Sequence, residues 1–421
     1  MSSHVTAAAE TGREWHRARG RETAGGRLLS LDVFRGVTVA GMILVTDPGT
    51  YSAVYRPLRH AEWAGATATD MIFPSFLFVV GVSITMSFAS RIARGADRAK
   101  LAGHVLRRSA ILLVLGLAVN GFPDYEWHTL RWPGVLQRIG LCYLCCGLLY
   151  LVTHRAGDDQ GGGPGLRRAL LPAGAAVGLL AAYWAMLRWV PAPGIGAGYL
   201  DSYRNLPAYV DRALLGTRHM WAYGVTPGMG VTYDPEGSLS TVPAIATTIF
   251  GLLAGEWMRS GRRGGRKALG LAAAGAVLVL LGWSLSAVLP INKRIWTSTF
   301  ALLSGGVSLL LFSMFYAVMD LLGDREMRAR RMRWWAAPAL VLGTNAILAF
   351  VLSGVLTTLS DRIRVYGAEG SSLTLHQWGY QHLFATWMAP IHASLAYAVM
   401  VVMLNIALIV PLYRRRIFLR I

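Results

Sequence analysis

The chain has 421 residues, 54% of them hydrophobic and 15% charged, with a mean hydropathy of +0.43. A soluble globular protein carries about a quarter charged residues, so this balance excludes one and fits a polytopic membrane protein. The net charge of +19, from 41 Lys and Arg against 22 Asp and Glu, would suggest nucleic acid in a soluble protein, so the placement of the charges decides its meaning.

Residues 1–27 are polar and Arg-rich without an apolar core. They read as a basic cytoplasmic tail, expected to be disordered, and not as a cleavable signal peptide. Ten apolar runs follow, near Leu28–Val45, Met71–Ser90, Leu106–Phe122, Val135–Val152, Ala169–Val190, Val242–Met258, Ala268–Leu289, Trp296–Met319, Ala339–Val355 and Met388–Leu412. The runs are continuous and not alternating, which predicts an all-α transmembrane bundle over 28–421 and excludes a strand barrel. Of the 41 basic residues, 28 fall on the N-terminus, the even-numbered connections and the C-terminus, against 11 on the other face. Both termini are therefore expected in the cytoplasm, the basic excess is topological, and no nucleic-acid partner is expected. GxxxG spacings at Gly174/Gly178 and Gly251/Gly255 predict close helix packing. Cys142, Cys145 and Cys146 share one apolar segment and offer no disulfide framework.

Ionisable groups in or beside spans are the first functional candidates, because they are costly there. Asp32 and Arg35, three apart in the first span, share a helix face and read as an ion pair or as an anion-binding pair. Gln137 and Arg138 open the fourth span, where the guanidinium suits a phosphate or carboxylate, or snorkels to the interface. His60 stands in an external connection with Glu62, Trp63 and Asp70 close by. A histidine so flanked suits a general base or a transient acyl acceptor, with an interfacial loop histidine as the plainer alternative. Asn292, Lys293 and Trp296 read as an interfacial anchor trio. His376 and His382, six apart, do not share a helix face, and no metal-ligand spacing, GxSxG elbow or Walker loop occurs.

The segments SLDVFRGVTVAGMILV (30–45), LRHAEWAGATATDMIFPSFLFVVGVSI (58–84), RWPGVLQRIGLCYL (131–144), DPEGSLSTVPAIATTIFGLLAG (234–255), INKRIWTSTFALL (291–303), GTNAI (343–347) and YRRRIFL (413–419) are specific. In this order they resemble the heparan-α-glucosaminide N-acetyltransferase family of transmembrane acyltransferases. The resemblance implies transfer of acetyl from cytosolic acetyl-CoA, through the bundle, to a sugar amine on the far side. It maps the family's catalytic histidine onto His60 in HAEWAG. It places Thr46, followed by Asp47, where the family has an orienting asparagine. Asn345, Asn292 or a backbone amide are candidates to stabilise the oxyanion, with Arg35 and loop arginines near the CoA phosphates.

The resemblance thus implies catalytic roles for His60, Thr46 and Asp47. Substrate-binding roles are expected for Asp32, Arg35, Trp63, Asp70, Gln137, Arg138, Asn292, Lys293, Trp296 and Asn345. No metal is expected, and the partners are a CoA thioester, a sugar acceptor and the lipid bilayer, with a homodimer allowed for. The large lumenal extension of the animal lysosomal members lies outside the match, so a compact bacterial-type protein of the plasma membrane is expected. An amino-sugar transporter is the alternative from another class, weakened because neither paired halves nor helices interrupted at matching positions are seen in the sequence. An O-acetyltransferase acting on an envelope polysaccharide is the third reading.

Overall fold

A lipid environment leaves backbone polar groups no partner but their own helix, so spanning segments must be continuous helices or broken only where protein covers the break. The computed structural model describes residues 28–154, 166–322, 335–366 and 372–418. The basic tail 1–27, the GGGPG loop at 161–165, the arginines of 325–333 and Leu419 at the end of YRRRIFL lie outside the described residues.

The chain folds as an all-α polytopic bundle. The helices are α1 (Leu29–Thr46), α2 (Ile72–Ile92), α3 (Arg98–Gly121), α4 (Val135–Thr153), α5 (Leu166–Trp189), α6 (Leu206–Leu215), α7 (Thr241–Arg259), α8 (Gly264–Ser284), α9 (Ser298–Tyr316), α10 (Ala337–Thr344), α11 (Ala346–Arg362), α12 (Leu375–Tyr380) and α13 (Pro390–Arg414). Among the described residues nine helices are long and apolar enough to span a membrane: all of these except α6, α10, α11 and α12. The predicted ninth span is not one continuous helix. It is α10 and α11, bent by 89° at Asn345, whose φ of −124° and ψ of 42° leave the helical region. The break stands alone among the described residues and has no counterpart in a second half. Two short hairpins, β1 (Val225–Thr226) with β2 (Gly230–Val231) and β3 (Arg364–Tyr366) with β4 (Ser372–Thr374), lie in the connections.

The helices sort into an inner and an outer set. The apolar window of α7 is 78% buried and that of α8 only 17%, so α7 is central and α8 turns most of its surface to lipid. Without a hydrophobic drive between helices in lipid, close approach depends on small residues. A Cβ on Gly251 of α7 would lie 1.9 Å from the Phe78 carbonyl oxygen of α2, and one on Gly81 would lie 2.0 Å from that of Thr248. Gly255 meets Thr85 in the same way. The packing predicted for Gly251/Gly255 is therefore present. At Gly174 and Gly178 of α5 an added Cβ meets nothing within 4 Å, so that GxxxG does not pack against a described helix.

Ser30 at the start of α1 donates its N–H to Asp320, just beyond α9, and Asn345 donates to the Ile417 carbonyl beyond α13. These contacts gather the cytoplasmic end expected from the charges. The connections 47–71, 190–240 and 290–297 lie at the opposite end, the one the charge distribution predicts to be external.

Candidate functional site

The connection from α1 to α2 carries the site. A turn at Arg56–Leu58, with Pro57 inside it, lowers the chain toward His60. Gly65, at φ +99°, occupies the left-handed region open to glycine. Its N–H donates to the Ile291 carbonyl at 2.7 Å and the two strands bridge at Asn292, so this loop is stitched to the 290–297 turn. That turn is held by Asn292, whose N–H donates to Thr297 Oγ1 (3.0 Å) and whose Oδ1 accepts from the Ile295 N–H (3.2 Å). Asn292 is thus a turn-former, and the turn presents Lys293.

Three side chains meet where the two segments join. His60 Nδ1 lies 2.7 Å from Asp70 Oδ1, and Lys293 Nζ lies 3.0 Å from the same ring nitrogen and 3.4 Å from the same carboxylate oxygen. A carboxylate at 2.7 Å accepts only from N–H, so the Asp70 contact puts the proton on Nδ1 and leaves the Nε2 lone pair to accept; the Lys293 ammonium, itself only a donor, then faces Nδ1 as a neighbouring charge and pairs with Asp70. Asp70 is 1% exposed, and its other oxygen, Oδ2, accepts from the Ala61 and Thr67 N–H groups and the Thr67 hydroxyl. Each lone pair has a partner, so the carboxylate has little freedom to rotate. The His60 side chain is 39% exposed. Partial burial, with Lys293 and Arg294 nearby, holds its pKa below the usual histidine value against the opposing pull of Asp70. Burial likewise lowers the Lys293 ammonium, while Asp70 and Glu236 act to keep it charged.

Trp63 ties the loop to the long external connection, donating Nε1–H to the Leu200 carbonyl (2.7 Å) with its ring edge on Tyr233 at 5.0 Å. Beside Tyr233 is a cluster the sequence reading missed. Arg131 grips Asp234 at 2.9 and 2.6 Å and reaches Glu236 at 2.6 Å. The acids hold the Arg131 guanidinium above its usual value despite burial, and Arg131, Arg138 and Lys293 hold Glu236 below the usual carboxylate range. RWPG and DPEG carried the signal as motifs, but nothing in either string says that they pair.

The remaining candidates divide between other places. Arg138 is 1% exposed and does not snorkel. It donates to the Gly237 carbonyl and the Ser240 hydroxyl and lies 5.1 Å over the Trp296 ring. Gln137 is buried beside Gly116 and Gly134. Trp296 is also 1% exposed, packed edge-on to Phe73 and Phe300. The interfacial-anchor reading of Asn292, Lys293 and Trp296 is therefore corrected: all three face the protein interior. Thr46 turns its hydroxyl back to the Met42 carbonyl. Both oxygens of Asp47 are engaged by α11, through Ser353 (3.0 Å) and Thr357, and burial raises its pKa.

Asp32 and Arg35 pair at 3.1 Å as the spacing predicts. Arg35 also donates to the Gly343 carbonyl (3.2 Å) and the Ser83 hydroxyl (2.8 Å), joining α1, α2 and α10 toward the cytoplasmic end. Asn345 belongs to this end as well. A narrow apolar gap lined by Val39, Met42, Phe76, Leu136, Ile139 and Phe350 lies among α1, α2, α4 and α11. Among the described residues no group of three His, Cys, Asp or Glu stands ready to hold a metal ion.

Comparison with known proteins agrees with the motifs. Residues 27–157, which include His60 and Asp70, match the family model "Heparan-alpha-glucosaminide N-acetyltransferase, catalytic". The heparan-alpha-glucosaminide N-acetyltransferase of Homo sapiens is 28% identical over 359 residues, 77% of this chain and 52% of the relative. That of Mus musculus is 28% identical over 370 residues, 80% of this chain and 54% of the relative. The chain spans about half the length of the curated relatives it matches.

Proposed function

We propose that this integral membrane protein, a relative of the heparan-alpha-glucosaminide N-acetyltransferases, moves an acetyl group from acetyl-CoA on the cytoplasmic side to the amine of an amino sugar or related glycan on the other. The observation that carries the reading is the His60–Asp70 pair, 2.7 Å apart at the external end inside the matched segment.

In this scheme His60 Nε2 takes a proton from the acceptor nitrogen as it bonds to the thioester carbonyl carbon. The C–S bond then breaks, and His60 returns the proton to the leaving CoA sulfur. Asp70 holds the ring in the tautomer this needs and stabilises the transient imidazolium. The thioester is already activated, so the remaining demands are positioning and oxyanion stabilisation. In the carrier version Nε2 attacks the carbonyl carbon itself and the C–S bond breaks to release CoA as its thiolate; the acceptor amine then displaces the imidazole from the acetyl group, and the proton it gives up balances the thiolate as the free thiol. Both versions use the same free nitrogen. Arg35 at the cytoplasmic end offers a cation to the CoA phosphates. Thr46 and Asp47 stand at the start of the His60 loop and support its position. The bacterial plasma membrane is the proposed location.

Purified protein in liposomes, given labelled acetyl-CoA on one face and glucosamine on the other, tests this directly. Acetylated amino sugar appearing on the acceptor's side supports the reading. Uptake of unmodified sugar without acetylation would favour a transporter, and acetylation of polysaccharide hydroxyls alone would favour the O-acetyltransferase.

A further inference from the structure

A buried carboxylate beside a histidine orients it, but also stabilises its protonated form. Asp70, desolvated and 2.7 Å from His60, would on its own drive the ring toward imidazolium, and an imidazolium cannot accept a proton. A cation on the carboxylate offsets that pull and keeps the base neutral to lower pH. Lys293 is the cation that touches both partners: Nζ is 3.4 Å from Asp70 Oδ1 and 3.0 Å from His60 Nδ1. Its place is built by the fold, since Asn292 forms the turn, and Gly65 is bonded to Ile291 in the same turn.

We propose that Lys293 is a positioning residue whose ammonium offsets the Asp70 carboxylate, so that Asp70 orients His60 without holding it protonated. The proposal deepens, and rests on, the reading of His60 as the base. Since Nδ1 already carries its proton toward Asp70, protonation means adding a second proton at Nε2, which places an imidazolium against an ammonium. The groups that bear on the ring are Asp70 from the start of α2, and Lys293 and Arg294 from the 290–297 turn. Arg59, the preceding loop residue, turns away to the Ser52 carbonyl at 3.2 Å. Glu236 of the long connection acts to keep Lys293 charged, and Arg294 acts against it.

The test follows His60 itself by a route separate from turnover. Diethyl pyrocarbonate acylates only neutral imidazole, and peptide mass spectrometry reads its attachment to His60 as a function of pH in the full, detergent-solubilised chain. In the wild type the midpoint should lie below the roughly 6.5 of a free imidazole. In Lys293→Met it should rise by about one unit, and in Lys293→Arg it should stay near the wild type. The acid limb of kcat/KM should move with it.

A wild-type midpoint above that of free imidazole overturns the proposal, and this arm decides even if Lys293→Met fails to fold. An unchanged midpoint in folded Lys293→Met also overturns it, and leaves Lys293 a structural tie. A midpoint that moves while the acid limb stays fixed supports the Lys293 inference and rejects His60 as the base.

Discussion

Arg131 and Asp234, 103 residues apart, form a two-point pair in which the carboxylate side chain is 0% exposed and the guanidinium 21%. Asp234 also accepts the Trp221 N–H at 2.8 Å, so one carboxylate fixes the entrance to α4 against the long external connection. Removing Arg131 leaves Asp234 and Glu236 buried together without their cation. Breaking a buried pair from one side costs about 3–5 kcal/mol. Arg131→Ala is expected to lower the thermal midpoint sharply, and a midpoint unchanged from wild type would contradict the role assigned to the cluster.

Asp211 in α6 gives a pH prediction of known sign. Burial pushes its carboxyl up to about 7, although its carboxylate accepts the Ser238 N–H at 2.7 Å. The folded state therefore holds a proton that the unfolded chain releases near its ordinary value of 3.8. Stability from this group is full below 3.8 and declines as pH rises toward 7. Asp211→Asn keeps the acceptor oxygen and removes the titration, so its unfolding midpoint should show less loss between pH 5 and 8 than the wild type. Parallel curves for the two proteins would show that Asp211 does not titrate in this window.

The two GxxxG motifs should respond unequally to the same change. Gly251→Ala forces a methyl against the Phe78 carbonyl and should separate α2 from α7 at a cost of about 1–3 kcal/mol. Gly174→Ala meets open space and should stay within about 0.5 kcal/mol of the wild type. Thermal unfolding in detergent reads both, and equal losses would refute the packing described for α7.

These glycines also mark what the sequence can and cannot reveal. Spans are legible because lipid demands long apolar runs, and the Asp32–Arg35 pair is legible because both partners lie on one helical turn. Which GxxxG packs depends on what neighbour arrives, and that is tertiary. The bend at Asn345 stayed hidden because, Thr344 and Asn345 apart, the run around it is apolar, and the close packing of α10 on α1 beside the bend, where a Cβ on Gly343 would lie 2.1 Å from the Asp32 carbonyl oxygen, is tertiary. Within the candidate site, His60 was legible through the HAEWAG motif. Its union with Lys293, 233 residues on, depends on the Gly65–Ile291 stitch, which has no local signature. Trp296 was misread because an aromatic at a span end is commonly an anchor, whereas here it lies beneath Arg138.

Arg35 supplies the prediction for the donor end. If its guanidinium meets the CoA phosphates, Arg35→Ala should reduce the thermal shift that acetyl-CoA produces in the wild type by mass action. Loss of the contacts to Asp32, Gly343 and Ser83 should also lower the ligand-free midpoint. A full acetyl-CoA shift in the mutant would remove Arg35 from the donor site.

The central claim is that His60 Nε2 handles the transferred proton or the acetyl group. The most direct measurement is the transfer rate per folded molecule for His60→Ala, taken beside the acetyl-CoA thermal shift of the same preparation. The account predicts a rate lower by about 100- to 10,000-fold, with the shift retained because the donor end is untouched. A rate within tenfold of the wild type in protein that still binds acetyl-CoA would contradict it.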